Sequence, residues 1–107
     1  MTRFAATTTE ESGRVRVVLA GDCDLAVRDE MCAALLAAAS RADVVIVDLA
    51  GVSFLDSSGL HGLVTAHHAA RGRGGRLYVE NPTGAVATLL DLTGVAALLS
   101  PAGERRE

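Results

Sequence analysis

A run of four β-branched residues, VVIV at positions 44–47, restricts the fold of this chain more than any other feature. Polar and apolar residues do not alternate within the run, which is typical of a central strand covered on both faces, as in a parallel sheet. Neighbouring parallel strands are joined by crossover connections, usually helices, and these are almost always right-handed. The run therefore predicts an α/β fold.

The rest of the sequence alternates between strand-like and helix-like segments. Val15, Val17 and Leu19 recur at period two, as in a half-buried strand, and a turn-like segment at 11–13 joins this strand to an earlier one. We therefore expect an opening β-hairpin followed by alternating helices and strands. Strands are predicted at about 3–9, 14–20, 44–49, 76–80 and 97–99, and helices at about 25–40, 57–71 and 82–92, the last capped by Asn81 with Pro82 in its first position.

The composition sets the size of the domain and excludes several classes of function. The 107 residues suffice for one small domain, with a core at about 3–100 and a polar tail at 101–107. Half of the residues are hydrophobic, so a core can form although only 3% are aromatic. The formal net charge of −3 argues against binding to nucleic acid through phosphate neutralisation. All ten basic residues are arginines, which excludes Schiff-base and P-loop lysine chemistry.

The two cysteines, Cys23 and Cys32, are too few for a disulfide framework and lack the spacing of a metal site. The N-terminus has no apolar signal core and no apolar run reaches the length of a membrane span, so we expect a cytoplasmic protein without a membrane partner. The neighbours of Cys23, Asp22 and Asp24, are expected to raise the pKa of its thiol and to lower its reactivity.

The three histidines, His61, His67 and His68, fall on the second predicted helix without a cysteine or carboxylate at ligand spacing, so no metal site is expected. Ser58, His61 and Asp56 are the available parts of a hydrolase triad. The Gly-x-Ser-x-Gly elbow is missing, however, and a base three positions after Ser58 on the same helix would be poorly aimed at its hydroxyl. We expect no catalytic residue and no cofactor.

The most informative segment follows the central strand, where DSSG at 56–59 begins the second predicted helix. Asp56 and Ser57 are both good N-caps, so a capped helix start alone would account for them. Gly59 and Gly62 are unfavourable inside a helix. Two explanations for them are open: a partner approaches the helix closely there, or the glycines pack against the domain's own sheet.

Several motifs along the chain resemble those of the STAS domain family, and most closely those of the bacterial anti-sigma factor antagonists. The resemblance covers about residues 10–100 and includes the motifs SFLDSSGL at 53–60, GDCD at 21–24, GGRL at 74–77 and LLDLTGV at 89–95. It implies a STAS fold, with a mixed, largely parallel sheet and helices mainly on one side. The family usually ends in a further helix, for which residues 100–107 leave too little room, so that helix is expected to be absent.

The resemblance also implies a partner-switching regulator rather than an enzyme. In that family the unphosphorylated antagonist binds an anti-sigma factor that is also a serine kinase, and the sigma factor is released. The kinase then phosphorylates a serine at the helix start, the complex weakens, and a serine phosphatase resets the switch. The matching serine is Ser58, and the expected partner-binding residues around it are Asp22, Asp24, Asp56, Ser57, Gly59, His61 and Gly62. The alternative is a non-switching STAS scaffold in a signalling or transport complex.

Overall fold

The computed structural model describes residues 3–100, which form four strands and four α-helices. In chain order the elements are β1 (Ala5–Glu11), β2 (Arg14–Cys23), α1 (Arg28–Ala39), β3 (Val44–Leu55), α2 (Ser57–Gly72), β4 (Arg76–Glu80), α3 (Gly84–Thr93) and α4 (Val95–Leu99). A short 3₁₀ turn, Leu25–Val27, precedes α1. The polar tail expected at 101–107 lies outside the described residues.

The four strands form one sheet in the order β1-β2-β3-β4. The strands β1 and β2 are antiparallel and make the predicted opening hairpin. At its turn Gly13 has a φ of 75°, a conformation that glycine adopts without steric penalty. The strands β2, β3 and β4 are parallel, and α1 and α2 connect them. The expected mixed, largely parallel sheet with alternating helices and strands is therefore confirmed.

The core lies between the helices and one face of the sheet. Val17, Val47 and Val79 are aligned on three neighbouring strands and are all buried. Period-two spacing along β2 and β4 decides which of their residues face this side. All four helices contribute buried residues to the same cluster, so the helices lie on one side of the sheet, as expected. Each helix is represented there by a leucine: Leu35, Leu63, Leu90 and Leu99.

The opposite face carries no helix within residues 3–100 and holds a network of ion pairs instead. Arg16 Nη1 lies 2.9 Å from Glu80 Oε1 and 3.5 Å from Asp48 Oδ2. Arg16 Nε lies 3.0 Å from Glu11 Oε2. One guanidinium on β2 thus contacts carboxylates from the other three strands. Ile46 shares this face and is only 3% exposed, so β3 is largely buried on both sides although helices cover only one.

The predicted start of the third helix is wrong. Asn81 does not cap α3, because its φ of 60° lies in the left-handed region, and Pro82 stands outside the helix. The helix begins at Gly84, after Thr83 in extended conformation. An Asn-Pro pair is a common cap signal, but here the chain first has to turn away from the end of β4.

The short strand predicted at 97–99 is also wrong, because this segment belongs to the helix α4. Gly94, with a φ of 80°, ends α3 as predicted, and the chain then re-enters a helix. Val95 and Leu99 are four positions apart and both are buried, which is helical spacing. No other element follows α4 in the part of the chain that the structure describes. Within that part no helix is long and apolar enough to cross a membrane.

Candidate functional site

The candidate site lies at the edge of the sheet where β2 and β3 end. Cys23 and Leu55 are neighbours in this parallel pair, and the amide of Asp56 donates a hydrogen bond of 3.2 Å to the carbonyl oxygen of Cys23. The segments at 21–24 and 53–59, identified separately in the sequence, therefore lie side by side. This is the position at which open α/β sheets commonly bind their ligands and partners.

Asp56 fixes the start of α2. Its backbone is extended, and its Oδ1 accepts hydrogen bonds from the amides of Ser58, at 2.8 Å, and Gly59, at 3.0 Å. These amides belong to the first turn, where no partner exists within the helix. The sequence allowed either Asp56 or Ser57 as the N-cap. The structure assigns the cap to Asp56, and Ser57 is the first residue of the helix.

Ser57 and Ser58 occupy the first two positions of α2 and differ in exposure. Ser57 is exposed, whereas Ser58 is half-buried and its amide is bound to the Asp56 carboxylate. Both hydroxyls lie near the positive end of the helix dipole, which favours an added phosphate. The Asp56 carboxylate beside Ser58 opposes a second negative charge.

Gly59 and Gly62 are both buried, and the space that a Cβ would occupy is filled from within the domain. A Cβ on Gly59 would lie 2.5 Å from the carbonyl oxygen of Cys23, and one on Gly62 would lie 2.6 Å from Met31 Cε. Close packing inside the domain thus explains both glycines. Gly59 packs against the sheet, as one of the two open explanations predicted, whereas Gly62 packs against α1. A contact of either glycine with a partner stays a prediction.

Asp24 and Asp22 come from the end of β2 and the loop that follows it. Asp24 Oδ1 accepts a hydrogen bond of 3.1 Å from the amide of Ala26 and so caps the 3₁₀ turn. Asp22 is half-buried and stands opposite Phe54 in the register of β2 and β3. Together with Asp56, these residues place three carboxylates at one edge of the sheet.

The thiol of Cys23 lies among these carboxylates and is fully buried. Burial above all, and then the negative charges of Asp24, Asp22 and Asp56, raise the pKa of Cys23 to about 11. The sequence predicted the direction of this shift from the neighbouring aspartates, but burial is the larger cause. The thiol is therefore protonated near neutral pH and is a poor nucleophile.

The three histidines of α2 have different environments. His61, one turn after Ser58, and His68 are exposed, whereas His67 is only 3% exposed. Burial lowers the pKa of His67, the positive charge of His68 lowers it further, and Nδ1 of the buried ring has no hydrogen-bond partner. Among residues 3–100, no group of three or more His, Cys, Asp or Glu side chains is arranged to hold a metal ion.

Two exposed apolar side chains at this edge were not identified from the sequence. Leu25, directly after Asp24, is 64% exposed, and Phe54, two positions before Asp56, is 49% exposed. Because Leu55 faces the core, Phe54 points to the opposite side of the sheet. An apolar residue within two positions of an aspartate is the sequence signal that the two share, and it does not distinguish an exposed residue from a core residue.

A family model described as "Mlab, STAS domain" matches residues 6–100 of the chain. Among curated proteins, no significant match to the sequence was found.

Several solved structures have the same fold. An anti-sigma factor antagonist from Mycobacterium paratuberculosis superposes with a TM-score of 0.83 at 22% identity, over 92% of this chain and 86% of that one. The Bacillus cell fate determinant SpoIIAA in its phosphorylated form gives a TM-score of 0.71 at 19% identity, over 90% of this chain and 88% of that one. A sulfate transporter family protein from Wolinella succinogenes gives 0.68 at 20% identity, over 79% and 70%. At these identities the likeness establishes the fold.

Proposed function

The chain belongs to the STAS domain family, and on this basis we propose that it is an anti-sigma factor antagonist. In its unphosphorylated form it binds an anti-sigma factor that is also a serine kinase, and this binding releases a sigma factor. The kinase phosphorylates Ser58, the complex weakens, and a serine phosphatase restores the unphosphorylated form. The protein acts in the cytoplasm, supplies a binding surface and an acceptor hydroxyl, and catalyses no step.

The observation that carries this proposal is the geometry at the start of α2. Ser58 follows a helix cap that is held by two hydrogen bonds from Asp56, and Gly59 packs directly against the end of β2. The acceptor is thus fixed on a stiff support at the edge of the sheet. Such a substrate needs no base of its own, because a kinase supplies the base and the nucleotide. The antagonists that share this fold, one of them in a phosphorylated form, support the proposal.

Phosphorylation is expected to change the binding surface more than the fold. It adds about −1.5 to −2 charges at neutral pH, whereas the whole chain starts from −3. The helix dipole stabilises the phosphate within the free domain. A partner that closes over Ser58, by contrast, has to remove water from a dianion beside the Asp56 carboxylate, which is unfavourable.

A non-switching scaffold in a signalling or transport assembly is the second candidate. A sulfate transporter family protein has the same fold, which favours this alternative. A scaffold needs the surface but has no use for an acceptor hydroxyl. The intact DSSG segment at 56–59, with Asp56 as the cap, therefore favours the switch.

A phosphorylation assay tests the proposal. The protein is incubated with ATP and each candidate anti-sigma factor kinase from the same genome, and the phosphate is located by mass spectrometry. We expect phosphate on Ser58, its loss in Ser58→Ala and its retention in the matched control Ser57→Ala. Phosphate on Ser57 alone would reassign the acceptor to the more exposed serine. If no candidate kinase phosphorylates or binds the protein, the scaffold is the favoured function.

A further inference from the structure

The large apolar side chains that are exposed within residues 3–100 fall into two groups. One group consists of Leu25, next to the segment at 21–24, and Phe54, within the segment at 53–59 of the candidate site. The other members lie on helices away from these loops: Leu36 on α1, Leu92 on α3 and Leu98 on α4. Exposed apolar residues scattered singly are ordinary on a protein surface. Two of them beside one proposed phosphoacceptor are a distinct feature.

Leu25 directly follows the segment at 21–24, and Phe54 lies in the segment at 53–59 that leads into α2. Leu25 begins the turn that leads into α1, and its position is held by the Asp24 cap. Phe54 points to the helix-free side of the sheet, one position before the buried Leu55. The hydrogen bond from the Asp56 amide to the Cys23 carbonyl holds the two segments together. The two exposed side chains therefore lie at the same edge of the sheet as Ser58.

We propose that Leu25 and Phe54 are the apolar anchors of the complex with the anti-sigma factor kinase, and that they exclude water from around Ser58 in that complex. This inference rests on the proposed function, because it takes its partner from there. It specifies the partner surface further: the kinase presents apolar depressions that receive the leucine and the phenylalanine near the acceptor serine. Interfaces commonly place aromatic and aliphatic anchors at their dry centre and polar groups at the rim.

The anchors also determine how strongly phosphorylation of Ser58 weakens the complex. In a wet interface a phosphate keeps most of its hydration, and the complex tolerates it. In a dry interface the dianion loses its water next to the Asp56 carboxylate, which is unfavourable. Removal of the anchors should therefore weaken the unphosphorylated complex and also reduce the difference between the unphosphorylated and phosphorylated forms.

The test uses the full chain and the anti-sigma factor kinase that phosphorylates the wild type. The dissociation constant is measured by calorimetry for Leu25→Ser, for Phe54→Ser and for the double variant, each with and without Ser58→Asp. Leu92→Ser is the matched control, since Leu92 is 81% exposed and lies outside the site. We expect each single variant to weaken binding about tenfold and the control to bind like the wild type.

The second expected result concerns Ser58→Asp, which should raise the dissociation constant by a smaller factor in the double variant than in the wild type. Thermal melts verify folding, and if Phe54→Ser melts early, Leu25→Ser carries the test alone because Leu25 is the more exposed of the two.

The outcomes separate this inference from the proposed function. If the wild type binds a kinase and the double variant binds equally well, the proposal that Leu25 and Phe54 anchor the complex is overturned and the proposed function stands. If binding weakens but the effect of Ser58→Asp is unchanged, the exclusion of water is overturned. An equal loss of binding affinity in Leu92→Ser would overturn the assignment of the apolar anchors to this edge of the sheet. If no candidate kinase binds the wild type, the proposed function fails and the anchors fail with it.

Discussion

Asp56 Oδ1 lies 2.8 Å from the amide nitrogen of Ser58, so the residue that caps α2 also holds the backbone of the proposed phosphoacceptor. The same oxygen accepts a hydrogen bond from Gly59, one position further on. The carboxylate thus stabilises the helix start while it places a negative charge beside the serine. Stability and switching are expected to respond to the same side chain in different ways.

Asp56→Ala is expected to lower the free energy of unfolding by about 1 kcal/mol, because two first-turn amides lose their acceptor. Asp56→Asn keeps an acceptor oxygen without the charge and should remain close to the wild type. Urea denaturation at neutral pH measures both variants. An Asp56→Ala protein as stable as the wild type would contradict the role of this side chain as a helix cap.

Gly59→Ala is expected to destabilise the protein by about 1–3 kcal/mol. The added Cβ would lie 2.5 Å from the backbone carbonyl oxygen of Cys23, which cannot move without disturbing β2. Gly62→Ala should be milder, because the closest atom is the mobile end of the Met31 side chain. Chemical denaturation gives the free energies of unfolding of the wild type, Gly59→Ala and Gly62→Ala.

Gly72→Ala is the matched control for these glycine variants. Gly72 ends the same helix, and a Cβ added there would meet nothing within 4 Å. This substitution is expected to be neutral or to stabilise the protein by up to about 1 kcal/mol, because it restricts the unfolded chain. If Gly59→Ala behaved like Gly72→Ala, the close packing of α2 against β2 would be refuted.

Cys23 is expected to react slowly with a thiol reagent at pH 8, because its pKa of about 11 keeps it protonated and burial blocks access. Cys32 is half-buried on α1 and should supply the faster phase. That phase should persist in Cys23→Ala and disappear in Cys32→Ala. A fast phase that is lost in Cys23→Ala would count against this assignment.

The same thiol predicts a loss of stability at alkaline pH. Cys23 binds its proton more tightly in the folded protein than at the ordinary pKa of 9.0. Above about pH 9 the unfolded chain loses that proton while the folded one keeps it, so the contribution is present below pH 9 and is lost as the pH rises towards 11. Cys23→Ala should show a shallower decline when melts are compared at pH 8 and pH 10.

His67 predicts a loss of stability on the acid side. Burial lowers the pKa of its ring below the ordinary value of 6.5, so the folded protein favours the neutral form. Below about pH 6.5 the unfolded chain takes up a proton that the folded one resists, and the stability falls. His67→Leu should lose part of this decline between pH 7.5 and pH 5, while His61→Gln, at an exposed position on the same helix, should keep it. Equal slopes for the wild type and His67→Leu would be inconsistent with this interpretation.

Local patterns in the sequence predicted most of the fold, because alternation in β2 and the run at 44–47 are properties of neighbouring residues. The errors lie where distant contacts decide. The sequence predicted Asn81 as a helix cap, but its left-handed backbone conformation forms the turn that follows β4. Gly59 allowed two explanations, since its neighbour Cys23 lies 36 positions earlier in the sequence. Leu25 looked like part of a helix, and only the packed structure places it in solvent.

The helix-free face of the sheet has a consequence for the protein in concentrated solution. A sheet with one open face resembles half of a β-sandwich, and two such halves stack when their faces are apolar. Here Arg16 and the carboxylates that it contacts occupy the middle of that face. Stacking would bury several charges at once and is therefore unfavourable. The network is therefore expected to disfavour the stacking of two molecules through this face.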